Sequence, residues 1–384
     1  MADKATGFEA IEEVYEDRRR TALQFKNEGR PIMGYYCSYP PLEMITAMDY
    51  VPYRILGCGR EPVTKADMEI PTVVCPFIRS SLDLAFKGVY DFLDGFVAAH
   101  TCDCEEKLFR VWKETWPVRY QHFIDLPHVV RDNALEQFKE KLTIFRKSLE
   151  VHTGKKMDHE RLVREIGLHN RQRERVRELY GLRKQNPPLI TGSEILKTMV
   201  ALMSLPIEDG NHFLKDVIIR AGIRRQRPLE KELRIFLWGT PLTETNLIDI
   251  IEAFDAHVVM DDMCVGSRHF WADVEITEDP LDGLAARYLE GINCPRTIRD
   301  TTGDYDACML SRFGHLKEFV TDWKADGVIL QSMKYCDTHG YEVPELKGFF
   351  DSMGIPTLYI EHQYTASSEA QIKNRIEAFL ENIP

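Results

Sequence analysis

Nine cysteines are the residues of this 384-residue chain best suited to chemistry: Cys37, Cys58, Cys75, Cys102, Cys104, Cys264, Cys294, Cys308 and Cys336. An odd number cannot pair completely within one chain, and a reducing compartment does not use thiols as structural disulfides, so metal or redox chemistry moves to the front. A free Cys also behaves as a small buried hydrophobe, and that bland role suits Cys58 and Cys308, whose neighbours say little. Cys75 and Cys294 each precede a proline. A Cys-Pro step bends the chain and removes an amide donor, and it is familiar beside iron–sulfur clusters. Cys102-Asp103-Cys104 is tighter than the Cys-x-x-Cys of zinc knuckles and thioredoxins, and no Cys-x-x-Cys pair occurs elsewhere, which weakens both of those readings. Soft thiolates from separate loops suit iron–sulfur clusters, with an all-Cys zinc site as the tetrahedral alternative; spacing does not decide between them. Three thiolates on a four-iron cluster would leave one iron open to water or substrate, a Lewis acid as well as a redox centre.

Elements must carry these thiols to one place. The segment Gly7 to Gly29 is patterned as an amphipathic helix that stops on Gly. Short apolar runs then read as strands: PIMGYYC (31 to 37), IPTVVC (70 to 75) and YDFLDGFVAAHTC (90 to 102), separated by the helical stretches LEMITAM and SSLDLAFKG, in a parallel βαβ rhythm. From about Asp132 to Ala221 the pattern is helical throughout, with Thr191 and Glu194 spaced as a capping box. Strand rhythm returns in LRIFLWG, HVVMDDMC, DGVILQSMKYC and IPTLYIEHQY, and SSEAQIKNRIEAFLENI is the last predicted helix. The expected architecture is α/β, with an N-terminal helix (1–30), a first α/β lobe (31–131), a helical connection (132–230) and a second α/β lobe (231–384). Cys37, Cys75, Cys102, Cys264 and Cys336 then fall at or just past strand C-termini, the edge where ligands bind in open parallel sheets.

Composition narrows the partners. A net charge of -12 repels phosphate backbones and anionic lipid heads, and the basic runs Arg18–Arg20 and HNRQRERVREL are interleaved with glutamates, so neither nucleic acid nor a membrane is expected. The N-terminus lacks the apolar core of a signal peptide and no apolar stretch approaches a membrane span, which places the chain in the cytosol as an expectation. No phosphate-binding Gly-x-x-x-x-Gly-Lys-Ser/Thr loop occurs, and Gly57-Cys58-Gly59 lacks the third glycine of a dinucleotide fingerprint. GTPLTET (239 to 245) follows a strand and opens a helix, where amides hold an anion or simply turn the chain. Arg54 and Arg79 are candidate anion clamps or plain ion-pair partners, and His100 and His339 flank cysteines as candidate proton donors.

Six ordered blocks cover most of the chain outside the helical middle: GYYCSYPPLEMITAMDYVPYRILG, CPFIRSSLDLA, DGFVAAHTCD, GINCPRT, ADGVILQSMKYCD and GIPTLYIEHQY, with RIEAFLE near the end. In these blocks the chain resembles the 2-hydroxyacyl-CoA dehydratase and benzoyl-CoA reductase family of iron–sulfur subunits, and its Tyr-rich first block is most similar to the smaller cluster-binding subunit of ATP-dependent benzoyl-CoA reductase. The resemblance implies two flavodoxin-like (Rossmann-like) lobes facing each other across a cleft, with cluster thiolates at Cys75, Cys102 and Cys336. It implies a [4Fe-4S] cluster or, as in some relatives, a double-cubane [8Fe-9S] cluster with six cysteines; Cys37, Cys104, Cys264, Cys294 and Cys308 are the candidates for the added ligands. Implied partners are a paralogous iron–sulfur subunit, ATP-hydrolysing electron-activating subunits supplied by ferredoxin, and an acyl-CoA substrate. The expected function is an oxidoreductase subunit of anaerobic aromatic degradation that helps reduce benzoyl-CoA to a cyclic dienoyl-CoA. The alternatives are a 2-hydroxyacyl-CoA dehydratase subunit, a non-catalytic electron carrier with a double-cubane cluster, or a metal-free α/β protein with buried thiols. No catalytic proton donor is identified. The chain departs from the family pattern at Cys104, an extra thiol, at Asp49, where a Gly is common, and at His362-Gln363, where an acidic residue is frequent.

Overall fold

Three of the short apolar runs form strands whose two faces are both covered: Ile32, Met33, Gly34 and Tyr35 are all buried, as are all seven residues of the strands Leu233–Gly239 and Gly327–Met333. The computed structural model describes residues 6–116, 118–131, 133–224, 233–299, 303–364 and 369–384. The expected helical start at Asp132, the boundary between 230 and 231, and the start of the last helix at Ser367 lie outside the described residues.

Strands β1 (Ile32–Tyr35), β2 (Val51–Arg54), β3 (Gly95–Ala99) and β4 (Tyr120–Ile124) form one parallel sheet in the order β2-β1-β3-β4. The two-residue strands β5 (Val129–Val130) and β8 (Ile298–Arg299) pair with each other. Strands β6 (Leu233–Gly239), β7 (Ala256–Asp262), β9 (Gly327–Met333) and β10 (Thr357–His362) form a second parallel sheet in the order β10-β9-β6-β7. In the first sheet the order is 2-1-3-4, the flavodoxin-like arrangement, in which successive connections run to opposite sides of the first strand. In the second sheet the order, numbered within its own lobe, is 4-3-1-2, which places its first strand at the same kind of switch point, between its second and third. The α/β expectation of two flavodoxin-like lobes is met.

One predicted strand is absent. Residues 70–75 form a turn that leads into the helix Pro76–Phe86, because Pro71 and Pro76 bracket a run too short and too exposed to pair. The edge strands β2 and β4 lie outside the runs read as strands. Pro52 lacks the amide that a central strand needs, and β2 tolerates it by lying at the sheet's edge; β4 carries Gln121 and His122 on its half-buried positions. The N-terminal segment is two helices, Phe8–Glu16 and Arg18–Asn27, broken at Asp17, whose carboxylate accepts from the Arg20 amide at 2.8 Å. The helical middle holds Ala134–Thr153, His159–Gly181, Gly192–Leu202 and Ile207–Gly222, and the Thr191–Glu194 capping box is formed.

Packing ties the halves together. Phe138, Leu142 and Phe145 share a core with Met33, Tyr35 and Val97 of the first sheet and with Leu281, Leu284 and Tyr288 of the helix Pro280–Leu289. Inside that core Glu43 pairs with Arg173 and accepts from the Tyr288 hydroxyl at 2.8 Å. Asp49 adopts a left-handed φ of 67°, the conformation that makes Gly common there, and its carboxylate is pinned by Lys155 and Arg161. No helix among the described residues is long and apolar enough to cross a membrane.

Candidate metal centre

Both sheets turn their carboxyl edges toward one cleft, and six of the nine thiols line it: Cys37, Cys75, Cys102, Cys264, Cys294 and Cys336. The cleft opens to solvent, and together with the solvent at its mouth it spans about 650 Å³ not filled by protein. Cys37 follows β1, Cys102 follows β3 and caps the helix Asp103–Thr115, Cys264 follows β7, and Cys336 follows β9 and precedes the short helix Asp337–Gly340. Cys75 arrives by the turn described above and caps Pro76–Phe86. Cys294 comes from the loop between Pro280–Leu289 and β8. Two sharp corners help to aim these sulfurs: Cys37 (φ 65°) and Tyr335 (φ 63°) are left-handed, conformations costing on the order of 1–3 kcal/mol each for residues with a Cβ.

Burial dominates the thiols' electrostatics. It pushes Cys37, Cys102, Cys264 and Cys336 above the ordinary thiol range and Cys75 up to about 11; for Cys102 the hydrogen bond with Cys104 is the larger cause. The amides of Ile78 and Phe77 oppose the rise at Cys75. Cys104 stands beside Cys102, whose hydrogen bond lowers it to about 6 against the effect of burial. The raised thiols stay protonated until an electropositive centre replaces their protons. Among the described residues no three cysteine sulfurs lie within 4.8 Å of one another; the trio of potential ligands that does is His100, Asp103 and Glu106. One tetrahedral zinc, with sulfurs about 2.3 Å from the metal, would need them closer. The donor set, all soft sulfur and widely spaced, fits a polynuclear iron–sulfur cluster.

Around the thiols lies a buried polar frame. Arg268 grips Asp262 with Nε to Oδ1 at 3.2 Å and Nη2 to Oδ2 at 3.0 Å, and its Nη1 lies 3.1 Å from His339 Nε2. A guanidinium only donates, so Nε2 accepts and the imidazole proton sits on Nδ1, 3.4 Å from Cys336 Sγ. Burial, reinforced by Arg268, pulls His339 down to about 3, which keeps the ring neutral and its Nδ1–H directed at that sulfur. Glu105, which also lines the cleft and is bonded to Thr101, is raised by burial to about 7. Arg54 approaches Cys264, and Arg296 ties the Cys294 loop to the first lobe through the carbonyls of His100 and Pro127.

Of the expected ligands, Cys75, Cys102, Cys336 and Cys37 line the cleft and Cys104 adjoins them. Cys308 lies in the helix Tyr305–Asp322, and Cys58 donates toward Glu244 at 3.5 Å; neither lines the cleft. Arg79 is spent on Asp67 and the Thr72 carbonyl. In the turn 239–245, Thr240 and Pro241 line the cleft, while Glu244 accepts from the Gly59 amide, which disfavours an anion there. His100 lies between Glu106 and Asp125, each 3.7 Å away. Arg268, Arg296 and Glu105 are site residues that sequence reasoning missed. The only signals were an Arg directly after Cys-Pro and a glutamate directly after Cys104.

A family model described as 2-hydroxyglutaryl-CoA dehydratase, D-component, matches residues 37–383. Similar curated proteins include a subunit of benzoyl-CoA reductase from Thauera aromatica, 27% identical over 380 residues and covering 97% of this chain and 96% of that protein. The putative dehydratase subunit YjiM of Escherichia coli (strain K12) is also 27% identical, over 99% of both chains, and lactoyl-CoA dehydratase subunit beta of Anaerotignum propionicum is 25% identical over 97% of both. The match spans nearly the whole chain and includes all six cleft thiols, so the chain belongs to the 2-hydroxyglutaryl-CoA dehydratase D-component family.

Proposed function

We propose that this chain is an iron–sulfur subunit of an ATP-coupled acyl-CoA reductase, acting with a paralogous subunit to reduce the ring of benzoyl-CoA to a cyclic dienoyl-CoA. The observation that carries the reading is the gathering of Cys75, Cys102 and Cys336, from both lobes, in one cleft at the switch points of two sheets. Those three thiols hold the metal. A cluster held there would supply low-potential electrons one at a time and Lewis-acid chemistry. The protein's own groups set the conditions: His339 directs its Nδ1–H at Cys336, Phe77, Ile78 and Met333 exclude water, and Glu105, raised to about 7, exchanges a proton near neutrality. Electron-activating subunits that hydrolyse ATP, supplied by ferredoxin, deliver the electrons.

A second reading is favoured by Cys37, Cys264 and Cys294 in the same cleft: six thiols suit a double-cubane cluster of eight irons in an electron-transfer subunit whose partner holds the substrate. One experiment separates the readings. The anaerobically purified complex is analysed for iron and sulfide and then incubated with benzoyl-CoA, ATP and a strong reductant. About four irons per chain with diene product supports the first reading. About eight, with the acyl group bound away from this chain, supports the second. Elimination from a 2-hydroxyacyl-CoA without diene makes the complex a dehydratase, and absence of iron and sulfide removes both readings.

A further inference from the structure

The cleft wall holds a charge imbalance. Arg54, Arg268 and Arg296 all line it and are 1%, 3% and 6% exposed. Arg268 is neutralised by Asp262. Among the described residues neither Arg54 nor Arg296 has a carboxylate within 4.0 Å; the hydrogen bonds of Arg54 are long, to Ser38 Oγ at 3.4 Å, the Cys264 carbonyl at 3.5 Å and Cys264 Sγ at 3.7 Å, and its guanidinium lies over the Tyr35 ring, 5.5 Å from the centroid. Arg296 donates to neutral oxygens alone, the carbonyls of Pro127, His100 and Leu126 at 2.6, 2.7 and 3.3 Å and Thr297 Oγ1 at 3.4 Å. The Nε of each is buried without a partner. A guanidinium does not shed its proton, and a buried unpaired charge is tolerated only where something opposes it. In a chain of net charge -12, two such cations in one pocket select an anionic occupant.

We infer that Arg54 and Arg296 are positioning residues that balance the negative charge of a thiolate-ligated iron–sulfur cluster in the cleft and stabilise its reduced state. The inference rests on the cluster reading above. Sulfur ligands lose their protons when metal binds, so the cleft gains negative charge on loading and one more with each electron; fixed cations at the wall favour both steps. Arg54 faces Cys37 and Cys264, and Arg296 sits two residues from Cys294, so both cations act on thiols of the cleft.

The test is an EPR-monitored redox titration of the anaerobic complex carrying Arg54→Gln, Arg54→Lys or Arg296→Gln, with iron and sulfide measured on each. The neutral variants are expected to hold the reduced state at least tenfold less well, a shift of about 59 mV to more negative potential for a one-electron couple, whereas Arg54→Lys stays near the parent. Iron lost from Arg54→Gln but kept in Arg54→Lys also supports the charge role. Should Arg54→Gln fail to assemble, Arg296→Gln carries the same expectation. An unchanged potential in the neutral variants at full iron content, or a fall in Arg54→Lys as large as in Arg54→Gln, overturns the inference while leaving the cluster in place. A parent complex without iron or sulfide overturns the cluster reading itself, and the inference with it.

Discussion

Replacing Arg268 by Met should destabilise the chain and loosen Cys336 together, because one guanidinium serves both. It holds the Asp262 carboxylate through two hydrogen bonds and the Asp262 carbonyl through a third, and the two side chains are 0% and 2% exposed, so the pair is screened from solvent. Met fills much of the same volume but leaves the carboxylate buried with only His315, 3.5 Å away and poorly aligned for a hydrogen bond. Removing one partner of such a pair costs about 3–5 kcal/mol. With an unfolding entropy of about 2.1 cal/mol/K per residue, 384 residues give about 0.8 kcal/mol per degree, so Arg268→Met should melt about 4–6 °C below the parent by calorimetry. The control is Asp262→Asn combined with Arg268→Met, which removes the stranded charge and should recover part of the loss. His339 provides an independent readout: without Arg268 its Nε2 no longer has to accept, the ring is free to turn, and cluster iron should be lost more quickly to a chelator. A single variant melting within about 1 °C of the parent, or a double variant whose loss equals the sum of the single losses, would refute the argument.

Three further outcomes follow from the site. Cys75→Ala and Cys336→Ala should each abolish bound iron, and Cys58→Ser should leave it unchanged, as measured by anaerobic iron analysis, because only the first two thiols line the cleft. In the metal-free chain, alkylation of Cys104 should be half-maximal near pH 6, followed by mass spectrometry, and Cys102→Ala should move it toward the ordinary thiol value of about 8.5 by removing the stabilising hydrogen bond. Glu43 is fully buried; burial alone would raise its carboxyl, but Arg173, His169 and Arg287 outweigh this and lower it to about 2. The resulting stability, about 3 kcal/mol, is complete above the ordinary carboxylate value and disappears as pH falls from about 4.5 to about 2, so acid unfolding monitored by circular dichroism should be flatter over that window in Glu43→Gln.

The legible strands of this fold were those written as uninterrupted apolar runs. β1, β3, β6 and β9 are wholly buried and read so; β2, equally buried, hides behind Pro52, and β4 behind Gln121 and His122. Cys37, Cys102, Cys264 and Cys336 were readable for the same reason, since a thiol after a buried strand stands at the ligand edge of a parallel sheet. Cys75 reached the cleft although its expected strand does not exist: the Cys-Pro step itself, by starting a helix, was the relevant signal. The polar frame was illegible in principle. Arg268, His339 and Asp262 act as a unit only because the loops after β7 and β9 meet in the cleft, and no local pattern marks an arginine as buried.

The two sheets also explain why the thiols converge on a cleft and not on one lobe. In each sheet the first strand sits between the second and third, and such a switch point offers only the loops at its own edge. The first lobe alone presents Cys37, Cys75 and Cys102; the rest of the chain presents Cys264, Cys294 and Cys336. Arg296, reaching back to His100 and Pro127, and Ser38, donating to the Cys264 carbonyl at 3.2 Å, already hold the two edges in register. Metal bound to sulfurs from both edges would therefore close a preformed gap without having to fold a site. It would then act as a crosslink between distant parts of the sequence. Metal loss should accordingly weaken the contact between lobes before it weakens either sheet, since each sheet keeps its own buried ladder and core.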